Sequence, residues 1–230
     1  MLDVAVREDV LTANPAKSVT PVPATSLDEV RALDVPEVIN LRAALAMDKK
    51  ATAIDLHDLV DVMLATGCRP GEALALRWSE VDLAKHIVYL TGTVVREKGA
   101  GLFRQDTTKG KKPRGHLVPE FAMSMLERRN TEVSQGEFDL VFPSERGGLR
   151  EATTVDRQWR TFRERHPEWT WITPKTFRKS VGTAVERGAD IEAAAAQLGH
   201  SHPAITAKHY VVKPALGPDH REILEKFGGR

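Results

Sequence analysis

Leu198-Gly199-His200-Ser201-His202-Pro203-Ala204-Ile205-Thr206-Ala207-Lys208-His209-Tyr210 reads as a helix end, a short turn and a second helix that delivers a tyrosine. Asp190 caps the Ala-rich run from Ile191 to Leu198, and Gly199 stands where a left-handed C-cap belongs. Ser201 suits the N-cap of the next helix, with Pro203 in its first turn, where a missing N–H costs little. Two histidines and a tyrosine are thereby brought to helix termini with polar atoms free to meet a ligand. The alternative is a plain helical hairpin with Tyr210 half buried.

Upstream of this hairpin, Thr173-Pro174 is an N-cap followed by proline at the first helical position. The spacing predicts a helix from Lys175 to Arg187 that buries Phe177, Val181, Ala184 and Val185 and ends at Gly188. Lys175 and Arg178 then lie one turn apart on a face turned away from the core. Before it, Val155, Trp159 and Phe162 recur at helical spacing, and Phe121 to Arg129 forms another helix. Trp159, Trp169 and Trp171 read as core or rim packing.

From Val81 to Pro119 the period changes to two. Ile87–Leu90, Gly101–Thr107 and Arg114–Pro119 are expected to form a small three-stranded antiparallel sheet. Its turn, Thr108-Lys109-Gly110-Lys111-Lys112-Pro113, is either a solubilising tip or a reach into a DNA groove. Earlier still, Leu56, Leu59, Val60, Met63 and Leu64 mark the core face of a helix closed by Gly67. Arg69 follows in a tight turn, just before a helix whose dipole opposes a cation. Pairing with Glu72 is one explanation, and an anion shared by the guanidinium and backbone N–H groups is the other. Ser26-Leu27-Asp28-Glu29 is a capping box, and Pro36 interrupts before Val38, Leu41 and Leu45 resume helical spacing. Residues 1–25 resemble the end of a preceding helix and a Pro-rich linker.

Composition narrows the classes. The 230 residues, 41% hydrophobic and 28% charged, suit one sizeable soluble domain with a small appendage. No apolar run reaches membrane-spanning length. The single cysteine, Cys68, excludes an internal disulfide and reads as a small packed residue. The eight histidines show no paired metal-ligand spacing, so a four-ligand zinc site is not expected. A net charge of +1 hides two basic runs, Arg96 to Arg114 and Arg157 to Lys179, which point to a polyanionic partner.

Together Arg69, Lys109, Lys175, Arg178, His200 and Tyr210 are what metal-free phosphoryl transfer needs. Guanidiniums clamp the non-bridging oxygens, a tyrosine hydroxyl attacks, and a lysine protonates the leaving oxygen. At this point the chain resembles the catalytic domain of a tyrosine recombinase of the phage integrase family. Four motifs carry the resemblance, in the family's order. They are Thr66-Gly67-Cys68-Arg69-Pro70-Gly71-Glu72 with Leu76-Arg77-Trp78, Thr108-Lys109 ahead of Leu117-Val118-Pro119, Lys175-Thr176-Phe177-Arg178, and Leu198-Gly199-His200 with Tyr210. Lys175 stands where the family usually has histidine, as a base or as a phosphate clamp.

The resemblance implies an α+β fold, a mainly helical catalytic domain with the small three-stranded sheet. It implies a domain layout of 1–25 as the end of a core-binding domain and linker, 26–212 as the catalytic domain and 213–230 as a tail. The implied activity is site-specific recombination or integration of DNA for a phage or mobile element, in a bacterial or host cytoplasm. Strands are cut and rejoined through a 3′-phosphotyrosyl intermediate, with Tyr210 as nucleophile and with no metal and no cofactor implied. The implied partner is double-stranded DNA, bound by a tetramer of full-length protomers with accessory bending or directionality factors. The fragment alone is expected to be a monomer, with no membrane partner. DNA contacts are expected from Arg104, Lys111, Lys112, Arg114, Lys179 and His202. A type IB topoisomerase and a catalytically silent DNA-binding relative are the alternatives.

Overall fold

In the computed structural model of the chain, residues 2–17, 19, 31–106, 114–132, 136–200 and 203–209 are described, Arg114, Lys208 and His209 by backbone alone. A short helix, α1 (Leu2–Arg7), buries none of its side chains. Leu33 is buried, its N–H donating to Ser180 Oγ at 2.8 Å, and beside it the Asp34 carboxylate accepts the Glu37 N–H at 2.8 Å while Glu37 accepts the Asp34 N–H at 3.0 Å. This capping box opens α2 (Val35–Met47), with Pro36 in its first turn. The box expected at Ser26–Glu29 lies outside the described residues.

After the single turn α3 (Lys49–Thr52) comes the central helix α4 (Leu56–Thr66), which buries Leu56, Leu59, Val60 and Met63 as their spacing predicts. It ends at Gly67, whose φ of 71° is left-handed. A Cβ there would stand 2.8 Å from Leu198 Cδ2 and 3.0 Å from Val181 Cγ1, so glycine also permits a close approach. Next are α5 (Pro70–Leu74) and five strands, β1 (Val81–Asp82), β2 (Ile87–Leu90), β3 (Gly92–Glu97), β4 (Gly101–Asp106) and β5 (Arg114–Leu117). Helices α6 (Glu120–Glu132), α7 (Ala152–Arg165), α8 (Pro174–Gly188), α9 (Ile191–Leu198) and α10 (Pro203–His209) complete the described chain. Helix α4 packs against α2, α5, α6, α7 and α8, while α9 lies along α8 and α10 on α9.

The α+β class stands, but the strand pairing differs from expectation. The three-stranded antiparallel sheet is ordered β1-β2-β5, and β3 with β4 makes a separate two-stranded sheet. Strand β4 therefore pairs with β3, from Gly92 opposite Asp106 to Glu97 opposite Gly101, and not with β5. The reason is local. Gly99 and Gly101 adopt φ of 91° and 82°, so the chain reverses within a few residues after β3. That short closure costs less entropy than one across 107–113.

The core is aromatic beneath α7. Trp159 is 1% exposed, its Nε1–H donates to Ile172 O at 2.7 Å, and it meets Phe177 edge-on at 5.2 Å. Such an edge contact adds about 1 kcal/mol beyond area burial. Trp169 is also buried, and the Arg31 guanidinium lies 3.5 Å above the Trp171 ring. All three tryptophans thus pack, as the sequence predicts.

A buried ionic layer ties α4 to α6. Arg129 donates to Asp55 Oδ1 at 2.7 Å, Asp58 Oδ2 at 3.0 Å and Val141 O at 2.8 Å. Arg128 donates to Asp58 Oδ1 at 2.7 Å. Burial raises the Asp58 carboxyl, but hydrogen bonds from His57, Arg128 and Arg129 outweigh it and hold the group at about 2.

Candidate active site

Arg69 sits at the start of α5, just before Pro70, where the dipole gives it no local support. Glu72 supplies the support: its Oε2 accepts the Arg69 N–H at 2.8 Å and its Oε1 accepts from Nη1 at 3.3 Å. The guanidinium remains 51% exposed and lines a cavity of about 560 Å³. The pairing with Glu72 is thus in place while the side chain still faces the cavity. Cys68, behind it, is buried, and its N–H donates to Thr66 Oγ1 at 3.2 Å.

Lys175 and Arg178 reach the same cavity from the first turns of α8. Lys175 is exposed there, as expected. Arg178 is not on an outward face: it is 3% exposed, because α9 folds back along that flank of α8. Its Nη1 donates to Gly67 O at 2.6 Å and its Nη2 donates to Leu198 O. These carbonyls close α4 and α9, so two helix C-termini contribute partial negative charge to a buried cation. Arg178 Nη2 also lies 3.0 Å from His200 Nε2, and His200 Nδ1 lies 2.6 Å from Thr206 Oγ1.

Sequence reasoning missed Thr206, which is 0% exposed on α10, because a threonine in an amphipathic turn carries no signature. It also left unassigned Asp156, Arg160 and Arg163 of α7, which line the cavity. The second basic run was the available signal for those arginines. Arg163 Nη1 donates to Thr170 O at 2.7 Å.

The remaining candidates are scattered. Arg104, expected on DNA, is 6% exposed and enclosed by Glu80, Asp106, Thr91 Oγ1 at 2.7 Å and Ala75 O at 2.9 Å. It is a strut between β4 and the end of α5, not a surface contact, because its alternation along β4 turns it inward against Gly92. Lys179 is half-buried on α8 and does not line the cavity. Arg114 begins β5 opposite Leu90. Lys109, Lys111, Lys112, His202 and Tyr210 lie outside the described residues. Among the described residues no group of three His, Cys, Asp or Glu side chains is placed to hold a metal ion, and no helix is long and apolar enough to cross a membrane.

Five basic side chains, Arg69, Arg160, Arg163, Lys175 and Arg178, line this one cavity beside Asp156, with an imidazole on the most buried of them, an arrangement whose charge suits an anion. A model of the phage integrase family matches residues 33–215 of the chain. The chain is 28% identical over 200 residues to the tyrosine recombinase XerD of Corynebacterium glutamicum, covering 86% of this chain and 62% of that protein. It is 24% identical over 210 residues to the integrase of Staphylococcus phage L54a, covering 85% and 59%. It thus spans about three fifths of the length of these two relatives. Among solved structures, the Tn1549 transposon integrase in complex with a circular intermediate DNA superposes with a TM-score of 0.80 at 16% identity, over 97% of this chain and 74% of that one. The XerA recombinase superposes with a TM-score of 0.63 at 21% identity, over 99% and 73%.

Proposed function

Because the chain belongs to the phage integrase family, we propose that it carries the DNA cleavage and rejoining centre of a site-specific tyrosine recombinase. The observation that carries this reading is the convergence of Arg69, Lys175 and Arg178 on one cavity, with His200 hydrogen-bonded to Arg178.

In the proposed reaction the Tyr210 oxygen attacks the scissile phosphorus and loses its proton to a base, His200 or Lys175. The bond from phosphorus to the 5′ oxygen breaks, and Lys109 protonates that oxygen. The product is a 3′-phosphotyrosine and a free 5′ hydroxyl. Attack by a 5′ hydroxyl of a partner strand reverses the step and releases Tyr210. The bond energy stays in the phosphotyrosine, so no nucleotide is consumed. Arg69 and Arg178 contribute by holding the non-bridging oxygens as charge accumulates.

The partner in this reading is double-stranded DNA, engaged by a tetramer of full-length protomers, in the cytoplasm. Structural neighbours solved on DNA, such as the Tn1549 integrase and XerH bound to its difH substrate, support the DNA partner in this reading. Of the expected DNA contacts, Lys111, Lys112, Arg114, Lys179 and His202 stay in the proposal, and Arg104 leaves it. The test is incubation with a nicked suicide substrate followed by denaturing electrophoresis. A covalent protein–DNA adduct that disappears in Tyr210→Phe, with DNA binding retained, is the expected result. An adduct of undiminished yield from Tyr210→Phe refutes the assignment.

A further inference from the structure

We infer that Thr206 is a positioning residue that holds His200 in one tautomer, with the proton on Nδ1 and the lone pair of Nε2 turned toward Arg178. The inference rests on the recombinase reading for its consequence, and on two contacts and the burial of one hydroxyl for its substance.

The first contact settles which nitrogen accepts. A guanidinium has only donors, so Arg178 Nη2 at 3.0 Å from His200 Nε2 requires a lone pair on Nε2. A neutral imidazole with a bare Nε2 carries its proton on Nδ1. The second contact receives that proton: Thr206 Oγ1 stands 2.6 Å from Nδ1. Burial shields this second bond. Thr206 is 0% exposed in the middle of α10, a helix packed on α9, so water does not compete for the bond. The partner of one ring nitrogen decides which nitrogen carries the proton, and here that partner is a buried threonine.

The chemical consequence lies at Nε2. Arg178 faces the cavity where the scissile phosphate is proposed to bind, and His200 Nε2 is the ring atom turned to the same guanidinium. With Nδ1–H retained by Thr206, Nε2 is the atom that accepts a proton. Accepting it means giving up the bond from Arg178 Nη2, which leaves that N–H for a phosphate oxygen. The opposite tautomer has no lone pair at Nε2 and cannot accept there. Thr206 also ties α10 to the arginine centre, and Tyr210 follows α10 directly in the chain.

The test reads the tautomer and the chemistry separately. Imidazole nitrogen shifts are measured by NMR on the whole chain with labelled histidine, and the His200 signals are assigned by their loss in His200→Gln. The wild type is expected to show a protonated Nδ1 and a bare Nε2, and Thr206→Ser to keep that pattern. Thr206→Val, nearly the same shape without the acceptor, is expected to transfer signal to the Nε2–H form. On the suicide substrate Thr206→Val should lose on the order of 10- to 100-fold in cleavage rate, as outer partners of a functional histidine do, with DNA binding unchanged. Thr206→Ser should stay within about 3-fold of wild type, since its hydroxyl preserves the hydrogen bond. A wild-type His200 protonated on Nε2 overturns the inference without any variant, and so does a Thr206→Val protein that keeps the Nδ1–H pattern or cleaves at the wild-type rate. If the wild type itself forms no adduct, the recombinase reading falls, and the nitrogen shifts still decide the role of Thr206.

Discussion

Gly67 O accepts a hydrogen bond from Arg178 Nη1 at 2.6 Å, and the same glycine closes α4 with a left-handed φ of 71°. One residue therefore ends the central helix and holds the buried arginine of the site. Replacing it tests whether those two tasks are joined. Gly67→Ala adds a Cβ within 2.8 Å of Leu198 and places a side chain in left-handed backbone. The two effects together should cost about 2–4 kcal/mol. Thermal melting should fall by several degrees, and adduct formation should fall more than stability alone accounts for. An unchanged melting temperature would show that α9 simply yields.

The two arginines should separate in stability and not in catalysis. Removing one preorganised charge from a phosphoryl-transfer site costs on the order of 10²–10³ in rate, so Arg69→Ala and Arg178→Ala should each lose at least that. Arg69 is 51% exposed, and its removal should leave melting almost unchanged. Arg178 is 3% exposed, and its removal strands the Gly67 and Leu198 carbonyls, at a cost of about 1–3 kcal/mol. Circular dichroism melts and suicide-substrate kinetics on both variants check the split.

Arg104 should behave as a structural cation. Its side chain is 6% exposed beside Glu80, so Arg104→Ala should destabilise the chain by about 3 kcal/mol. Each phosphate contact contributes to the dependence of binding on salt. The slope of log affinity against log salt should therefore be the same in wild type and Arg104→Ala. A shallower slope would return Arg104 to the DNA surface.

Acid should weaken the α4–α6 layer in a defined window. The Asp58 carboxyl titrates at about 2 in the folded chain, below its unfolded value of 3.8. A depressed carboxyl adds stability that is fully present above the unfolded value and is lost as pH falls toward the folded one. The stability gap between wild type and Asp58→Asn should accordingly be constant above about pH 5 and narrow between about pH 4 and 2. Urea unfolding at pH 6 and pH 3 measures it, and a gap that does not narrow refutes the role of the charge.

The two lysines of the reaction divide by their leaving-group dependence. Sulfur in place of the 5′ bridging oxygen makes a leaving group that needs no acid. Lys109→Ala should be rescued on that substrate, and Lys175→Ala should remain slow. Rescue of Lys175→Ala instead would exchange the two roles.

What the sequence made legible is what neighbours in the chain decide. Gly67 after α4, Pro174 after Thr173, and Gly199 after Leu198 mark helix ends by local backbone chemistry, and the structure places those ends there. The burial of Arg178 was not legible, since it follows from α9 folding onto α8. Arg104 looked like one more member of a basic run, because its carboxylate partner Glu80 is 24 residues away in the chain. Thr206 was invisible for a similar reason: its partner lies six residues back, and no spacing rule couples a helical threonine to a histidine beyond the helix start.

The separation of β4 and β5 into different sheets bears on how this chain tolerates change. In a hairpin, adding one residue to the connecting turn slips the register and sends every side chain of a strand to the opposite face. Here β4 takes its register from β3 and β5 takes its own from β2. The connection through 107–113, which contains Lys109, can therefore gain or lose residues with no strand changing face. The register of the two sheets therefore sets no limit on its length.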